Sequence, residues 1–397
     1  MNSAKNLKQT NVEDLIPYAA NARTHSDDQV NQIAASIKEF GFNNPILVDE
    51  SMGVIAGHGR LEAAKRLELK EVPTLTLGHL TDAERRAYIL ADNRLAMNAG
   101  WDDEMLSAEL SRLEGEIDLS LLGFEDDELT RLLDQMTLDE VDEAEDLVPE
   151  PPEEPITKIG EIWELGNHRL AVGDATDEDV VQKLMDGRLA DLVFTDPPYG
   201  MDYAGGRGTK KVKQWEAIIN DDLKGNDLID MLYSSISNAK LVSKIGASFY
   251  VCLTWRTFAL FEASLNQVGL DTTSCIVWDK KSIGLGNSNY RPQHEFIFYA
   301  QGDWYGDKSQ SDVWHLSRGS NKYLHPTQKP IELIERALTN SSKREDIVFD
   351  CFGGSGSTLI ACEKLNRHAR LMELEPVYAD VIITRWQDYT GETARCI

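Results

Sequence analysis

The sequence predicts an α/β fold in its second half and a smaller α+β unit before it. A buried apolar strand at 347–350 runs into a glycine-rich turn and a helix, and another at 190–195 ends in a carboxylate. Short strands alternate with helices before residue 100, and acids and prolines crowd 138–155. The predicted parts are 1–100, an acidic helical segment and linker at 101–155, and 156–397.

The strand at 190–195 is followed by Asp196, Pro197, Pro198 and Tyr199. Prolines cannot continue the strand and have no N–H to donate, so the chain must turn there. A carboxylate, a bare carbonyl and an aromatic ring then lie at the carboxyl end of a strand, where open α/β sheets bind ligands. These groups suit a planar ring with an exocyclic amine. Asp196 and the Pro197 carbonyl would accept the amine hydrogens, and Tyr199 would stack on the ring.

The strand at 347–350 begins a strand, glycine turn and helix, the first unit of a nucleotide-binding α/β fold. The turn is not G-x-G-x-x-G, and no P-loop lysine follows it, which disfavours a dinucleotide or a triphosphate. The next strand ends at Glu373, where an acid is well placed to bind ribose hydroxyls. The pattern therefore indicates a different nucleoside-containing ligand.

Three motifs carry a family resemblance. Asp196–Tyr199 resembles the catalytic motif of amino-methylating DNA methyltransferases, which modify N6 of adenine or N4 of cytosine. Residues 349–356 resemble their S-adenosylmethionine motif, and His325–Pro330 resembles the segment that completes the cofactor pocket. The catalytic motif precedes the cofactor motif, which is the permuted order of the beta class. The resemblance covers roughly 156–389 and implies a Rossmann-like S-adenosylmethionine-dependent methyltransferase fold.

The resemblance also implies the cofactor contacts. The glycine turn would cradle the methionine part of S-adenosylmethionine, and Glu373 would hold the ribose. Asp174 either contacts the cofactor adenine or only closes a turn at the end of a strand. The implied cofactor residues are Asp174, Asp350, Phe352, Gly353, Gly354, Ser355, Gly356, Thr327, Lys329 and Glu373.

The first hundred residues resemble the ParB/sulfiredoxin-like N-terminal domain. The match rests on 44–48, 55–64 and 72–73, within roughly 11–97. In that family a glycine- and arginine-containing turn at a helix start can bind nucleotide phosphate. Here the turn is Gly57, His58, Gly59 and Arg60, without the arginine-rich box of CTP-dependent partition proteins. Contact with phosphate or DNA and a purely structural role both remain open for this turn.

The net charge of −27 is unusual for a protein that binds DNA. Nine acids and no base lie in 138–155, whereas 156–397 carries 27 basic and 33 acidic residues. The second half can therefore hold a local basic groove. The candidate DNA contacts are Arg207, Lys210, Lys211, Lys213, Lys281 and Arg291. The alternative for each is an ordinary solvated loop residue.

The remaining expectations concern substrate, partners and location. Aspartate at the first catalytic position favours N6 of adenine, because the N4-cytosine enzymes more often have serine there. The alternatives are N4 of cytosine, or a ParB-like binding protein with an inactive methyltransferase scaffold. Double-stranded DNA is the expected partner, and a homodimer and a nucleotide at the ParB-like turn are further partners that the resemblance allows. Five cysteines without zinc-like spacing, and no long apolar run, predict a cytoplasmic protein without a structural metal or a membrane span.

Overall fold

The computed structural model describes residues 5–18, 26–96, 101–139, 147–200, 223–282, 289–300, 302–307, 309–316 and 328–397. The chain divides into two compact units, Met1–Met136 and Thr137–Ile397. No helix within the described ranges is both long enough and apolar enough to cross a membrane.

The first unit contains a four-stranded sheet of mixed direction. Its strands are β1 (Lys5–Asn11), β2 (Ile46–Val48), β3 (Val54–Ala56) and β4 (Glu71–Thr76), in the order β1-β4-β2-β3. Only the β2–β4 pair is parallel. The helices are α1 (Asp27–Phe40), α2 (His58–Arg66) and α3 (Asp82–Ala96). Apolar side chains from the strands and from α2 form the core of this α+β fold.

The helix boundaries in this unit follow from local capping. The Ser26 side chain accepts a hydrogen bond from the Gln29 N–H at the start of α1. Gly41, with a φ of 85°, ends α1. The predicted helix over 28–40 is therefore confirmed, whereas β1 was not predicted.

Two more helices follow, α4 (Asp103–Leu113) and α5 (Asp126–Asp139), with a short 3-10 turn at Leu119–Leu122 between them. Four buried leucines hold them together, namely Leu110, Leu129, Leu132 and Leu133. The acidic segment after residue 100 thus contains a small apolar core of its own.

The second unit is built on a ten-stranded sheet. Its strands are β5 (Ile162–Leu165), β6 (His168–Val172), β7 (Ala190–Thr195), β8 (Ser243–Leu253), β9 (Thr272–Asp279), β10 (His294–Ala300), β11 (Val313–His315), β12 (Ile347–Asp350), β13 (His368–Glu373) and β14 (Arg395–Cys396). The order is β11-β9-β10-β8-β7-β12-β13-β6-β5-β14. The central strands from β8 to β6 run parallel, and β10 runs antiparallel to β8.

Helices cover both faces of this sheet. They are α6 (Glu178–Met185), α7 (Asn226–Leu241), α8 (Phe258–Val268), α9 (Ile331–Ser341), α10 (Ser357–Lys364) and α11 (Pro376–Thr390). Side chains of α6, α7 and α8 share one apolar core with the sheet, and those of α9, α10 and α11 share another. Burial on both faces explains why β7 and β12 are continuous apolar runs. The predicted α/β fold is confirmed.

The strand order reverses between β7 and β12. From β7 the parallel strands continue to β8 on one side, and from β12 they continue to β13 on the other. Val348 is paired with Leu192 and Phe349 with Val193, so the two strands end at the same edge. Such a reversal opens a crevice at the carboxyl ends of the strands.

Candidate active site

The turn after β7 carries the predicted catalytic residues. The Tyr199 hydroxyl donates to Asp196 Oδ1 at 2.6 Å. The Tyr199 ring lies edge-on to Phe261, with 6.4 Å between the ring centroids. Burial and the nearby Asp196 carboxylate raise the pKa of Tyr199 well above its ordinary value. The phenol is therefore a neutral donor that helps to fix the carboxylate.

The second oxygen of Asp196 is bound by Lys329, just before α9. Lys329 Nζ lies 2.5 Å from Asp196 Oδ2 and 3.2 Å from the Tyr199 hydroxyl oxygen. The Lys329 side chain is only 5% exposed. Burial alone would lower the pKa of Lys329, but the carboxylates of Asp196 and Glu295 together raise it. A buried, charged ammonium thus faces the Asp196 carboxylate.

Glu295, on β10, connects this pair to a fourth charge. Glu295 Oε2 lies 3.4 Å from Lys329 Nζ, and Glu295 Oε1 forms an ion pair with Lys280. We call Asp196, Lys329, Glu295 and Lys280 the charge chain. Its two positive and two negative charges balance.

The glycine turn lies at the end of the neighbouring strand, β12. The Gly353 N–H donates to the Met372 carbonyl at 2.7 Å, which ties the turn to β13. A Cβ on Gly353 would lie 3.0 Å from Ile382 Cδ1 and 3.2 Å from the Met372 oxygen. Gly356, with a φ of 82°, begins α10. These close approaches explain why glycine occupies the turn.

Two buried acids flank the glycine turn. Asp350 Oδ1 accepts from the Phe352 N–H at 3.0 Å, and Asp350 Oδ2 accepts from the Thr358 hydroxyl at 2.6 Å. Glu373 Oε2 accepts from the Gly354 N–H at 2.8 Å. Burial raises the pKa of Asp350 and that of Glu373 to about 7. The turn therefore lies in a pocket of acidic character.

The other predicted cofactor residues lie around the same turn. Gly173 donates its N–H to the Glu373 carbonyl at 2.8 Å, so the exposed Asp174 lies beside the end of β13. Asp174 Oδ1 accepts from the Thr176 N–H at 2.9 Å. The Ser355 carbonyl accepts from Arg385 Nη1 at 2.9 Å. Thr327 lies outside the described residues.

Gln328 is a polar residue of the site that the sequence analysis did not single out. Its side chain is 3% exposed. Within the described part of the chain, neither its amide nitrogen nor its amide oxygen has a hydrogen-bond partner. Buried amides of this kind usually have a partner, and Gln328 directly precedes Lys329 in the chain.

An aromatic side chain and several cations are exposed after β8, after β9 and before β10. Lys281 and Arg291 are exposed, and the Lys281 N–H donates to Asp279 Oδ1 at 3.0 Å. Trp255 follows β8 and is 64% exposed, with the Arg256 guanidinium 5.6 Å from its ring centroid. The sequence analysis missed this Trp-Arg pair, which directly follows an apolar strand. The other predicted DNA contacts, Arg207, Lys210, Lys211 and Lys213, lie outside the described residues.

The glycine turn before α2, in the first unit, has a basic side chain beside it, unlike the acidic surroundings of the turn after β12. Gly57, with a φ of 100°, precedes α2, and His58 Nε2 accepts from the Tyr18 N–H at 3.3 Å. Arg60 Nη2 is 3.4 Å from the Pro45 carbonyl, and no described residue binds its buried Nε. Burial lowers the pKa of Arg60. A cavity of about 460 Å³ opens beside it, between α1 and the turn at Leu119–Leu122.

Three family models match this chain. A model described as DNA methylase matches residues 190–384, and a ParB N-terminal domain model matches residues 1–94. A ParB-methyltransferase HTH domain model matches residues 104–159. The predicted resemblance to both families is thereby confirmed.

Known proteins each match a part of this chain. The ParB-like nuclease domain-containing protein YnaK of Escherichia coli strain K12 is 51% identical over 75 residues, covering 19% of this chain and 86% of that protein. The Type II methyltransferase M2.MboI of Moraxella bovis is 25% identical over 224 residues, covering 50% of this chain and 81% of that enzyme. The crystal structure of the M1.HpyAVI–SAM complex is 21% identical with a TM-score of 0.42, covering 54% of this chain and 97% of that one.

Proposed function

Because the chain belongs to the N6/N4 DNA methylase family and carries a ParB N-terminal domain, we propose that it methylates N6 of adenine in DNA. The methyl donor is S-adenosylmethionine. The observation that supports this most is the adjacency of β7 and β12. It brings the Asp196 turn and the glycine turn to one edge of the sheet, where an amine and a methyl donor can meet.

The residues around the glycine turn fit the cofactor. A Cβ at Gly353 would crowd Ile382 and the Met372 carbonyl, so glycine keeps the turn closely packed against β13. Glu373 can accept hydrogen bonds from ribose hydroxyls, and Asp350 fixes the turn through the Phe352 N–H. When bound, S-adenosylmethionine supplies an electrophilic methyl carbon on a sulfonium.

The catalytic turn prepares the amine. The target base leaves the DNA stack at a cost of a few kcal/mol, and stacking on an aromatic ring such as Tyr199 returns roughly 1–3 kcal/mol. Asp196 and the Pro197 carbonyl accept the amine hydrogens. Each Asp196 oxygen has a further lone pair beyond its bond to Tyr199 or Lys329. The nitrogen forms a bond to the methyl carbon as the carbon–sulfur bond breaks, and one amine proton leaves to water.

Aspartate at position 196 supports adenine over cytosine, since the N4-cytosine enzymes more often have serine there. Methylation of N4 of cytosine is the second candidate, because the matched family includes both reactions.

The DNA would lie along the surface formed by Trp255, Arg256, Lys281 and Arg291. A tryptophan can stack on an unpaired base, and the cations can neutralise phosphates. DNA as the substrate is consistent with a cytoplasmic enzyme.

We assign the N-terminal part a supporting role. Residues 1–100 form the ParB-like domain, 101–155 the acidic helical segment and linker, and 156–397 the methyltransferase domain. The turn at Gly57–Arg60, with the Arg60 guanidinium at a helix start, would contact phosphate of DNA or of a nucleotide.

The test uses labelled S-adenosylmethionine, double-stranded DNA of mixed sequence, the wild-type protein and Asp196→Ala. The DNA is digested to nucleosides, which are then separated. We expect label in N6-methyladenosine with the wild type alone, while calorimetry finds cofactor bound by both proteins. Label in N4-methylcytosine would instead support the second candidate, methylation of N4 of cytosine. Undiminished transfer by Asp196→Ala would contradict the mechanism.

A further inference from the structure

We propose that Lys329 is a positioning residue for Asp196, held in place by Glu295, and that this pairing sets the rate of methyl transfer. The inference rests on the proposed function and adds two residues to it. Glu295 has no role in the sequence motifs, and Lys329 was expected to contact the cofactor.

The contacts of Lys329 point to Asp196. Its ammonium lies 2.5 Å from Asp196 Oδ2 and 3.2 Å from the Tyr199 hydroxyl oxygen. Its own carbonyl accepts from the Ser357 hydroxyl at 3.0 Å, which fixes the backbone against the start of α10. Lys329 therefore joins the catalytic turn after β7 to the helix that follows the glycine turn.

The chemistry requires a charged and fixed carboxylate at position 196. A carboxylate accepts hydrogen bonds only, whereas a protonated carboxyl group would present a donor to the amine. An ammonium in direct contact stabilises the charged form and holds one oxygen in a fixed direction. The oxygens can then accept the amine hydrogen along the lone pairs that Lys329 and Tyr199 leave open.

Glu295 reduces the free-energy cost of burying the charges of Lys329 and Asp196. The Lys329, Glu295 and Asp196 side chains are 5%, 15% and 22% exposed. An unpaired charge there would be strongly destabilising. Glu295 shares Lys329 with Asp196 and is itself paired with Lys280, so that the charge chain is neutral.

The kinetic test compares Lys329→Met, Lys329→Arg and Glu295→Gln with the wild type. Misplacement of a reacting group by about 1 Å can cost roughly 100-fold, so we expect Lys329→Met to lower kcat by about that factor. Its cofactor Kd should be unchanged. Lys329→Arg should restore part of kcat, because it keeps the cation, and Glu295→Gln should lose less than Lys329→Met.

Lys364→Met is the matched control. Lys364 forms a comparably buried ion pair with Glu335 at 3.0 Å, between α10 and α9. It is the last residue of α10, at the opposite end from the glycine turn. Loss of this pair should lower the melting temperature without changing kcat.

A second measurement does not depend on activity. Lys329→Met leaves the Asp196 carboxylate without its cation, so adding Asp196→Asn to Lys329→Met should raise the melting temperature again. If the decreases in melting temperature caused by the two substitutions simply add, the two side chains do not act as a pair.

The outcomes separate this inference from the proposed function. If the wild type methylates no DNA, the proposed function is wrong. The melting temperatures of the single and double variants would still show whether Lys329 and Asp196 are coupled. A weaker cofactor Kd with normal kcat in Lys329→Met would make Lys329 a cofactor ligand and overturn the inference.

Discussion

Two glycine turns in this protein begin a helix in the same way but lie among opposite charges. Gly356 precedes α10 with a φ of 82°, and Gly57 precedes α2 with a φ of 100°. In the part of the chain that the structure describes, no side chain caps either helix start. Their backbones alone would suit the same kind of molecule.

The side chains separate the two turns. The turn at Gly356 is flanked by the buried acids Asp350 and Glu373, and the turn at Gly57 is followed by His58 and Arg60. Helix starts favour anions, and only the second turn reinforces that preference. The first turn instead suits a ligand with hydroxyl donors and a positive centre. The glycines thus permit close approach, and the neighbouring charges select the ligand.

The largest expected effect is on Glu373. Glu373→Ala removes the acceptor for ribose hydroxyls and also leaves the Gly354 N–H without its partner. Unsatisfied buried groups cost roughly 1–3 kcal/mol, so cofactor affinity should fall about 10- to 100-fold in calorimetry. Arg60→Ala is the crossed control and should leave cofactor affinity unchanged. Equal cofactor affinity in Glu373→Ala and the wild type would refute the assignment.

A matched pair of glycine substitutions tests whether the two turns, which share a backbone geometry, bind different ligands. Gly356→Ala and Gly57→Ala each place a Cβ at positive φ, at a cost of roughly 1–2 kcal/mol. Both should lower the melting temperature of the unit that carries them. Only Gly356→Ala should also weaken cofactor binding, because its Cβ would lie 3.3 Å from Ile382 Cγ1 in the packed turn. If Gly57→Ala weakened it equally, the two turns could not be assigned to separate ligands.

The acids predict a pH dependence of cofactor binding. The pKa of Asp350 and that of Glu373 are raised to about 7 by burial. The folded, ligand-free unit therefore favours their protonated forms, and this stabilisation is lost as the pH rises from about 4 through about 7. A cationic cofactor favours the ionised forms. The increase in melting temperature caused by S-adenosylmethionine should thus be larger at about pH 8 than at about pH 6. The reverse trend would show that the protonated acids bind it.

The smallest expected effect is on Arg60. Arg60→Ala removes the cation beside the cavity in the first unit. A solvent-accessible ion pair is worth roughly 0.2–1 kcal/mol, so the affinity for inorganic phosphate should fall by no more than about fivefold. Glu373→Ala serves as the control for this measurement. No binding of phosphate by the wild type would leave the turn at Gly57 with a structural role only.

Sequence patterns predicted the parts of the site that lie on continuous segments. The strands before Asp196 and Gly353 are apolar runs that end in recognisable turns, and the structure contains both as β7 and β12. Glu295 was not predicted, because its contact with Lys329 depends on how β10 lies in the sheet. No local pattern reports that register.

The acidic charge of one segment drew attention away from its apolar residues. The sequence predicted an acidic helical segment and linker at 101–155, but not that the helices α4 and α5 enclose four buried leucines. The helical spacing of so few apolar residues is a weak signal within an acidic segment. The family model that matches 104–159 agrees with a folded element there. The roles of the individual site residues stay predictions until the variants are measured.

The pairing of β7 with β12 has a consequence for synthesis. Asp196 and Asp350 are 154 positions apart, although their strands are neighbours. At roughly 5–20 residues per second, a ribosome needs about 10–30 s to travel from one to the other. During that interval β7 has already been made, but the strand that completes its edge has not. The nascent chain therefore cannot methylate anything until β12 and the glycine turn have emerged, and the reaction is withheld until nearly the whole second unit exists.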